Sequence, residues 1–201
     1  MLQTIGLVLL DHIPLGIDRV PAPGRHCAHA ALARRGACVW ASPRDLSCPL
    51  ARFNLGIEAP TDAVQDALAE TLFEWGYAPD VTAARLFVAG LTPLPQGNRI
   101  IVYGPVEALP RDPDVTLHVV TPRLAMERII RRLTEGALRA TGDMSGAGAF
   151  CGECTAFPLQ SGRIALSVGC PGSRRELMLD EAELMFAVPR AVATEIPLDV
   201  I

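Results

Sequence analysis

The sequence predicts a mixed α+β fold, one domain over residues 1–201 with a mixed sheet and flanking helices. Three observations carry this. Arg99–Tyr103 (RIIVY) and Val115–Val120 (VTLHVV) are apolar runs of strand length. Thr61–Tyr77 repeats Val64, Leu68, Leu72 and Trp75 at helical spacing. Strands and helices are interspersed, but not in the regular alternation that would commit the chain to a parallel sheet. A chain of 201 residues is the length of one domain and can bury a core without staples. It has no internal repeat, charge block or low-complexity tail.

Taken in order, the first strand is expected at Gly16–Val20 and the residues just before it, closed by Pro21-Ala-Pro-Gly24. Cys27–Arg35 is rich in Ala, Leu and Arg and stops at Gly36, so it reads as a helix. Val39-Trp40 is a short strand before the Ser42–Asp45 turn. Cys48–Gly56 is a second short helix, with Pro49 tolerated in its first turn. Thr61 is a suitable cap for the helix it precedes, and Val81–Gly90 forms the next helix. Thr92–Gly97 is a Pro/Gly loop, and Gly104-Pro105 ends the RIIVY strand. Thr121-Pro122 opens a helix to about Ala140, with Ala125, Ile129 and Leu133 inward and Glu127 paired with Arg131. Gly142–Gly152 is a loop of small residues. Thr155–Leu159 and Arg163–Val168 read as a hairpin, and Asp180–Glu183 as a capping box opening a last helix.

Composition narrows the function classes. Half the residues are hydrophobic, one fifth are charged, and mean hydropathy is +0.28, which describes a packed chain and not a disordered one. A net charge of −4 and a pI near 5.6 give no electrostatic footprint for nucleic acid. The apolar run Ile5–Leu10 is too short to span a bilayer and ends at Asp11. No basic stretch precedes it and no small-residue cleavage site follows, so neither a membrane partner nor a signal peptide is expected. A reducing, cytoplasmic setting is the expectation, and there clustered cysteines serve metal or redox chemistry more often than disulfides. The chain carries no dinucleotide fingerprint, phosphate-loop Lys, nucleophile elbow or HExxH.

The cysteines are the informative residues. There are six: Cys27, Cys38, Cys48, Cys151, Cys154 and Cys170. Cys151-Gly-Glu-Cys154 is half of a ligand pair, since two thiolates three residues apart can reach one metal or cluster. The preceding Ser145–Phe150 stretch includes Gly146 and Gly148, which let the backbone approach and offer N–H groups to cluster sulfurs or an anion. Cys48-Pro49 and Cys170-Pro171 are two Cys-Pro dipeptides, a pattern met at iron–sulfur ligands, although Pro also simply starts helices. Cys27 sits where a helix begins, a place that favours a thiolate. His26 and His29 beside it read as solvent-facing residues, with a mixed zinc ligand set as the alternative. Cys38 reads as buried and inert, and His118 as a core histidine. Arg174, beside Arg175, is a candidate anion grip, and Glu153 a candidate proton donor at a metal.

Several stretches resemble domain of unknown function 169, an uncharacterised bacterial and archaeal family. They are the segment from Cys27 to Ile57, RIIVYGPVEALPRDPDVTLHVVTPRLAMERI, SGAGAFCGECTAFPLQSGRIALSVGCPGSRR and DEAELMFAVP. The resemblance runs from about residue 14 to 195 and is most specific in the last third. It implies cysteines at Cys27, Cys48, Cys151 and Cys170, with Cys38 and Cys154 outside the family pattern. It supplies no reaction.

Four such thiolates fit a [4Fe–4S] cluster, with Cys154 as a spare ligand and a redox or electron-transfer role. They also fit a zinc ion in a non-catalytic binding module. The third reading is a metal-free protein that binds a small ligand. A small anionic ligand or a redox partner protein is the expected partner, and a homodimer has room in the apolar composition.

Overall fold

The computed structural model describes residues 4–127, 140–142 and 147–193. Among these described residues eight strands form one mixed sheet: β1 (Thr4–Leu10), β2 (Asp18–Arg19), β3 (Val39–Ala41), β4 (Ile100–Gly104), β5 (Val115–Val120), β6 (Ala140–Gly142), β7 (Ile164–Ser167) and β8 (Leu184–Pro189), in the order β2-β3-β4-β1-β5-β8-β7-β6. The outermost pair at each end, β2–β3 and β6–β7, is parallel; every other pair is antiparallel. The mixed α+β architecture expected from sequence is therefore present.

The helices are α1 (His26–Arg34), α2 (Pro49–Asn54), α3 (Asp62–Glu74), α4 (Val81–Ala89), α5 (residues 122–127), α6 (Phe157–Ser161), α7 (Pro171–Glu176) and α8 (Arg190–Ala193), with a π-helical segment over Ala149–Ala156. Side chains alternate across each strand, so the sheet buries two faces. Ile5, Leu7, Ile101, Tyr103, Val115 and Leu117 point into the larger core with α1–α4 and the π-helical segment. Phe186, Val188, Ile164 and Val120 face the smaller one, with Ala125 of α5.

Several elements obey local rules. Thr61 and Asp80 cap α3 and α4 by accepting from Val64 N and Ala83 N. Pro occupies the first turn of α2 and α7, where its missing N–H costs nothing.

Other elements depart from the sequence reading. The leading strand is Thr4–Leu10, at the centre of the sheet between β4 and β5; only the edge pair Asp18–Arg19 forms near Gly16–Val20. The apolar run that ends at Asp11 is thus a buried strand with polar partners supplied by two neighbours. No hairpin joins Thr155–Leu159 to Arg163–Val168. The first of these stretches is helical, because Thr155 turns its hydroxyl back onto Phe150 O (2.8 Å) and Gly162 ends α6 in the left-handed conformation. The Gly142–Gly152 loop gives way to helix from Ala149 onward. Asp180–Glu183 makes half of the expected box, Asp180 N donating to Glu183 Oε2 (2.8 Å), but closes a turn. The residues after that turn form β8, whose apolar run pairs with β5 and β7. Glu127 pairs with Arg123 (2.8 Å); Arg131, Ile129 and Leu133 lie outside the described residues. No helix among the described residues is long and apolar enough to cross a membrane.

Candidate functional site

One cavity on the helix-covered face of the sheet gathers four of the six cysteines. Cys27, Cys48, Cys151 and Cys170 all line it. They arrive from four separate elements. Cys27 is the second residue of α1, and Cys151 lies in the π-helical segment. Cys48 and Cys170 are the N-cap residues of α2 and α7, each with Pro at the first helical position. The two Cys-Pro dipeptides therefore do start helices, and in doing so they aim both N-cap thiols at one space. Cys170 is held by a reciprocal box: Ser173 N donates to its sulfur (3.4 Å) and Cys170 N donates to Ser173 Oγ (2.9 Å).

The floor of the cavity is buried and the rim is open. His26, Leu50, Ala51, Phe150, Cys151 and Ser173 form the floor. Arg25, Trp75 and Tyr77 reach solvent at the rim, and the open volume is about 410 Å³ including the mouth.

Burial decides the protonation of the thiols. It pushes Cys27 up to about 12, assisted by Cys170 and Cys48 nearby. It raises Cys151 well above the ordinary thiol range, assisted by Cys48, Cys170 and Cys27, and it raises Cys48 as well. Cys27, Cys48 and Cys151 therefore stay protonated unless a cation arrives to hold the thiolates. Asn54 adds a donor, its Nδ2 lying 3.7 Å from Cys151 Sγ and 2.9 Å from Leu50 O. Tyr77 stands at the rim with Cys170 and Gly172, and burial, with the Cys170 sulfur second, raises the pKa of its hydroxyl.

His26 is not solvent-facing, and neither is His29; their side chains are the inner face of α1. Thr155 spends its one hydroxyl proton on Phe150 O (2.8 Å) and so accepts at His26 Nε2 (3.1 Å). This assigns the proton to Nε2, and Nδ1 accepts from the Tyr103 hydroxyl (2.7 Å). Burial, with the charge of His29 second, lowers the His26 pKa to about 3, so the ring is neutral at physiological pH. His29 bonds Asp45 O through Nε2 (2.9 Å) and is likewise structural.

The remaining sequence candidates divide. Gly148 lines the cavity at φ +68°, where a Cβ would stand 3.3 Å from Asn54 Nδ2. Gly146 lies outside the described residues. Arg174 is not at the cavity but clamps the turn before β8, donating to Val168 O (2.6 Å) and Glu183 O (3.1 Å) and to Asp180 O. Arg25 is the guanidinium at the rim. Cys154 is fully buried beside Ser167 and does not line the cavity. Glu153 is buried and accepts the Ser167 hydroxyl. Cys38 is half-buried, its thiol on Ala108 O (3.3 Å). Among the described residues no group of three or more His, Cys, Asp or Glu side chains forms a metal-ion site.

Asn54, Tyr77, Trp75 and Arg25 carry no sequence signal as site residues: each is an ordinary helix or loop residue until the helices pack. A family model matches residues 5–196. The chain belongs to the DUF169 family. That family is described as "Uncharacterised ArCR" and brings no reaction with it. The match spans both ends of the DUF169 sheet and all four cavity cysteines. No curated protein and no solved structure matches the chain.

Proposed function

We propose that this DUF169 protein holds a [4Fe–4S] cluster on Cys27, Cys48, Cys151 and Cys170 and serves a redox or electron-transfer role. The carrying observation is the convergence of these four thiols, out of six, on one cavity from four distant points of the chain. Four cysteine sulfurs are the ligand set of a cubane. The burial that keeps Cys27, Cys48 and Cys151 protonated is offset when iron takes up the thiolates. Asn54 on the Cys151 sulfur is the kind of donor that sets a cluster's potential.

Zinc is the second reading: the same four thiolates would close a tetrahedral Zn²⁺ shell and tie α1, α2, the π-helical segment and α7 together without catalysis.

The test is iron, zinc and acid-labile sulfide on protein purified without oxygen, with a visible spectrum. About four irons and four sulfides per chain, with a brown band near 400 nm, is the expected result. Cys151→Ser and Cys170→Ser should lose the iron while Cys38→Ser keeps it. Unchanged iron content in Cys170→Ser would refute the ligand set; one zinc per chain and no iron would make the site structural.

A further inference from the structure

Among the described residues, the guanidinium of Arg25 at the rim of the cysteine cavity forms no ion pair with a carboxylate. The Arg25 side chain lines the cavity and makes no hydrogen bond or ion pair among the described residues, its backbone carbonyl alone accepting from His29 N (3.1 Å). Arg19, Arg52 and Arg111, by contrast, are each paired with a carboxylate. The Arg25 guanidinium lies over the Trp75 ring, 5.8 Å from its centroid, and Trp75 is 43% exposed. Gly172 leaves room for it: a Cβ there would stand 2.8 Å from Arg25 Nη1. Arg25 is the single Arg or Lys that lines this cavity among the described residues.

One cation over an aromatic ring, with an apolar floor beyond it, selects a ligand by charge and by body. A single positive charge matches a monoanion. Leu50, Ala51, Phe150 and Trp75 give apolar walls that water leaves at a gain. We propose that the rim binds a small carboxylate with an apolar body, the carboxylate on Arg25 and the body against Trp75 and the floor. This goes beyond the cluster reading and does not depend on it. If both hold, the carboxylate is a substrate or effector placed beside the cluster.

The test is isothermal titration of the purified, full-length protein with phenylacetate, with the neutral phenylacetamide and with inorganic phosphate. Phenylacetate should bind saturably, and the amide and phosphate at least about tenfold more weakly. Arg25→Gln should weaken phenylacetate binding by about tenfold or more. It should fold normally, since the Arg25 side chain makes no capping bond to α1. Gly172→Ala is the second variant. Its methyl group displaces only the end of the Arg25 side chain, so weaker binding with unchanged melting is expected. Absence of saturable phenylacetate binding, equal binding of the amide, or equal binding by Arg25→Gln would each overturn the proposal. Iron content measured on the same samples separates the two readings: iron-free protein that binds phenylacetate sinks the cluster alone, and iron-loaded protein that ignores it sinks this site alone.

Discussion

Buried, neutral His26 makes the stability of this fold depend on pH in a way that can be calculated. Its pKa is about 3 in the folded protein, against 6.5 for the free side chain. Below pH 6.5 the unfolded chain therefore takes up a proton that the folded chain refuses. The contribution is complete above about pH 6.5 and is lost as pH falls toward 3, at about 1.4 kcal/mol per pH unit. Between pH 7 and pH 5 the loss comes to about 2 kcal/mol. The perturbation is His26→Gln, which can still donate to Thr155 and accept from Tyr103 but does not titrate. The assay is urea unfolding of both proteins at pH 7 and pH 5. Acidic groups elsewhere contribute equally to both proteins and cancel in the difference. Wild type should lose about 2 kcal/mol more than the variant over that interval. Equal losses, within about 0.5 kcal/mol, would mean that His26 is not held neutral and that the hydrogen-bond assignment around it is wrong.

Three further outcomes are expected. Gly56→Ala should cost about 3 kcal/mol or more in urea unfolding, because the residue sits at φ +68° and its Cβ would meet Leu94 O at 2.4 Å and Pro95 O at 2.5 Å, both backbone. Asp45→Ala should cost about 2 kcal/mol at neutral pH, since its buried carboxylate accepts from Arg19 (2.7 and 3.1 Å) and from Ser42 N (2.8 Å) and Oγ (2.7 Å). Burial alone would raise the Asp45 pKa, but those bonds outweigh it and hold the carboxyl below its usual range, so the contribution is complete at neutral pH and fades as pH falls into the acid range; acid titration followed by circular dichroism checks the sign. Cys154→Ala should keep the iron and lose about 1 kcal/mol, as a buried residue outside the cavity, whereas Cys151→Ala should lose the iron; metal analysis of the pair distinguishes them.

The features legible in the chain were local ones. Thr61 with the repeat Val64–Leu68–Leu72 announces α3, and VTLHVV announces β5, because period and capping act within a few residues. Asp180–Glu183 misled for the complementary reason. The box-like bond forms, but the next residues are claimed by β5 and β7, strands that precede them by many residues. Ile5–Leu10 likewise becomes the central strand only because β4 and β5 come to flank it. At the site, the residue type was legible and the assembly was not. Cys27, Cys48, Cys151 and Cys170 are identifiable as thiols of interest from the chain. That they share a cavity, while Cys154 turns toward Ser167, depends on how α1, α2, the π-helical segment and α7 pack. Arg174 and Arg25 are equally arginines in the sequence; only packing makes one a clamp on carbonyls and the other a rim charge.

The wide spacing of the four cavity cysteines has a consequence for biogenesis. More than half of the chain lies between Cys48 and Cys151, and Cys170 belongs to a helix near the C-terminal end. During synthesis the first two thiols leave the ribosome long before their partners exist. They cannot be gathered with Cys170 until α7 has packed on α1. Any cargo that needs all four sulfurs must therefore wait until Cys170 has been made and α7 has packed on α1, and the rim formed by Arg25, Trp75 and Tyr77 is the way in. Once loaded, it would tie the first helix of the chain to one of the last, and resistance to unfolding would become a measure of occupancy.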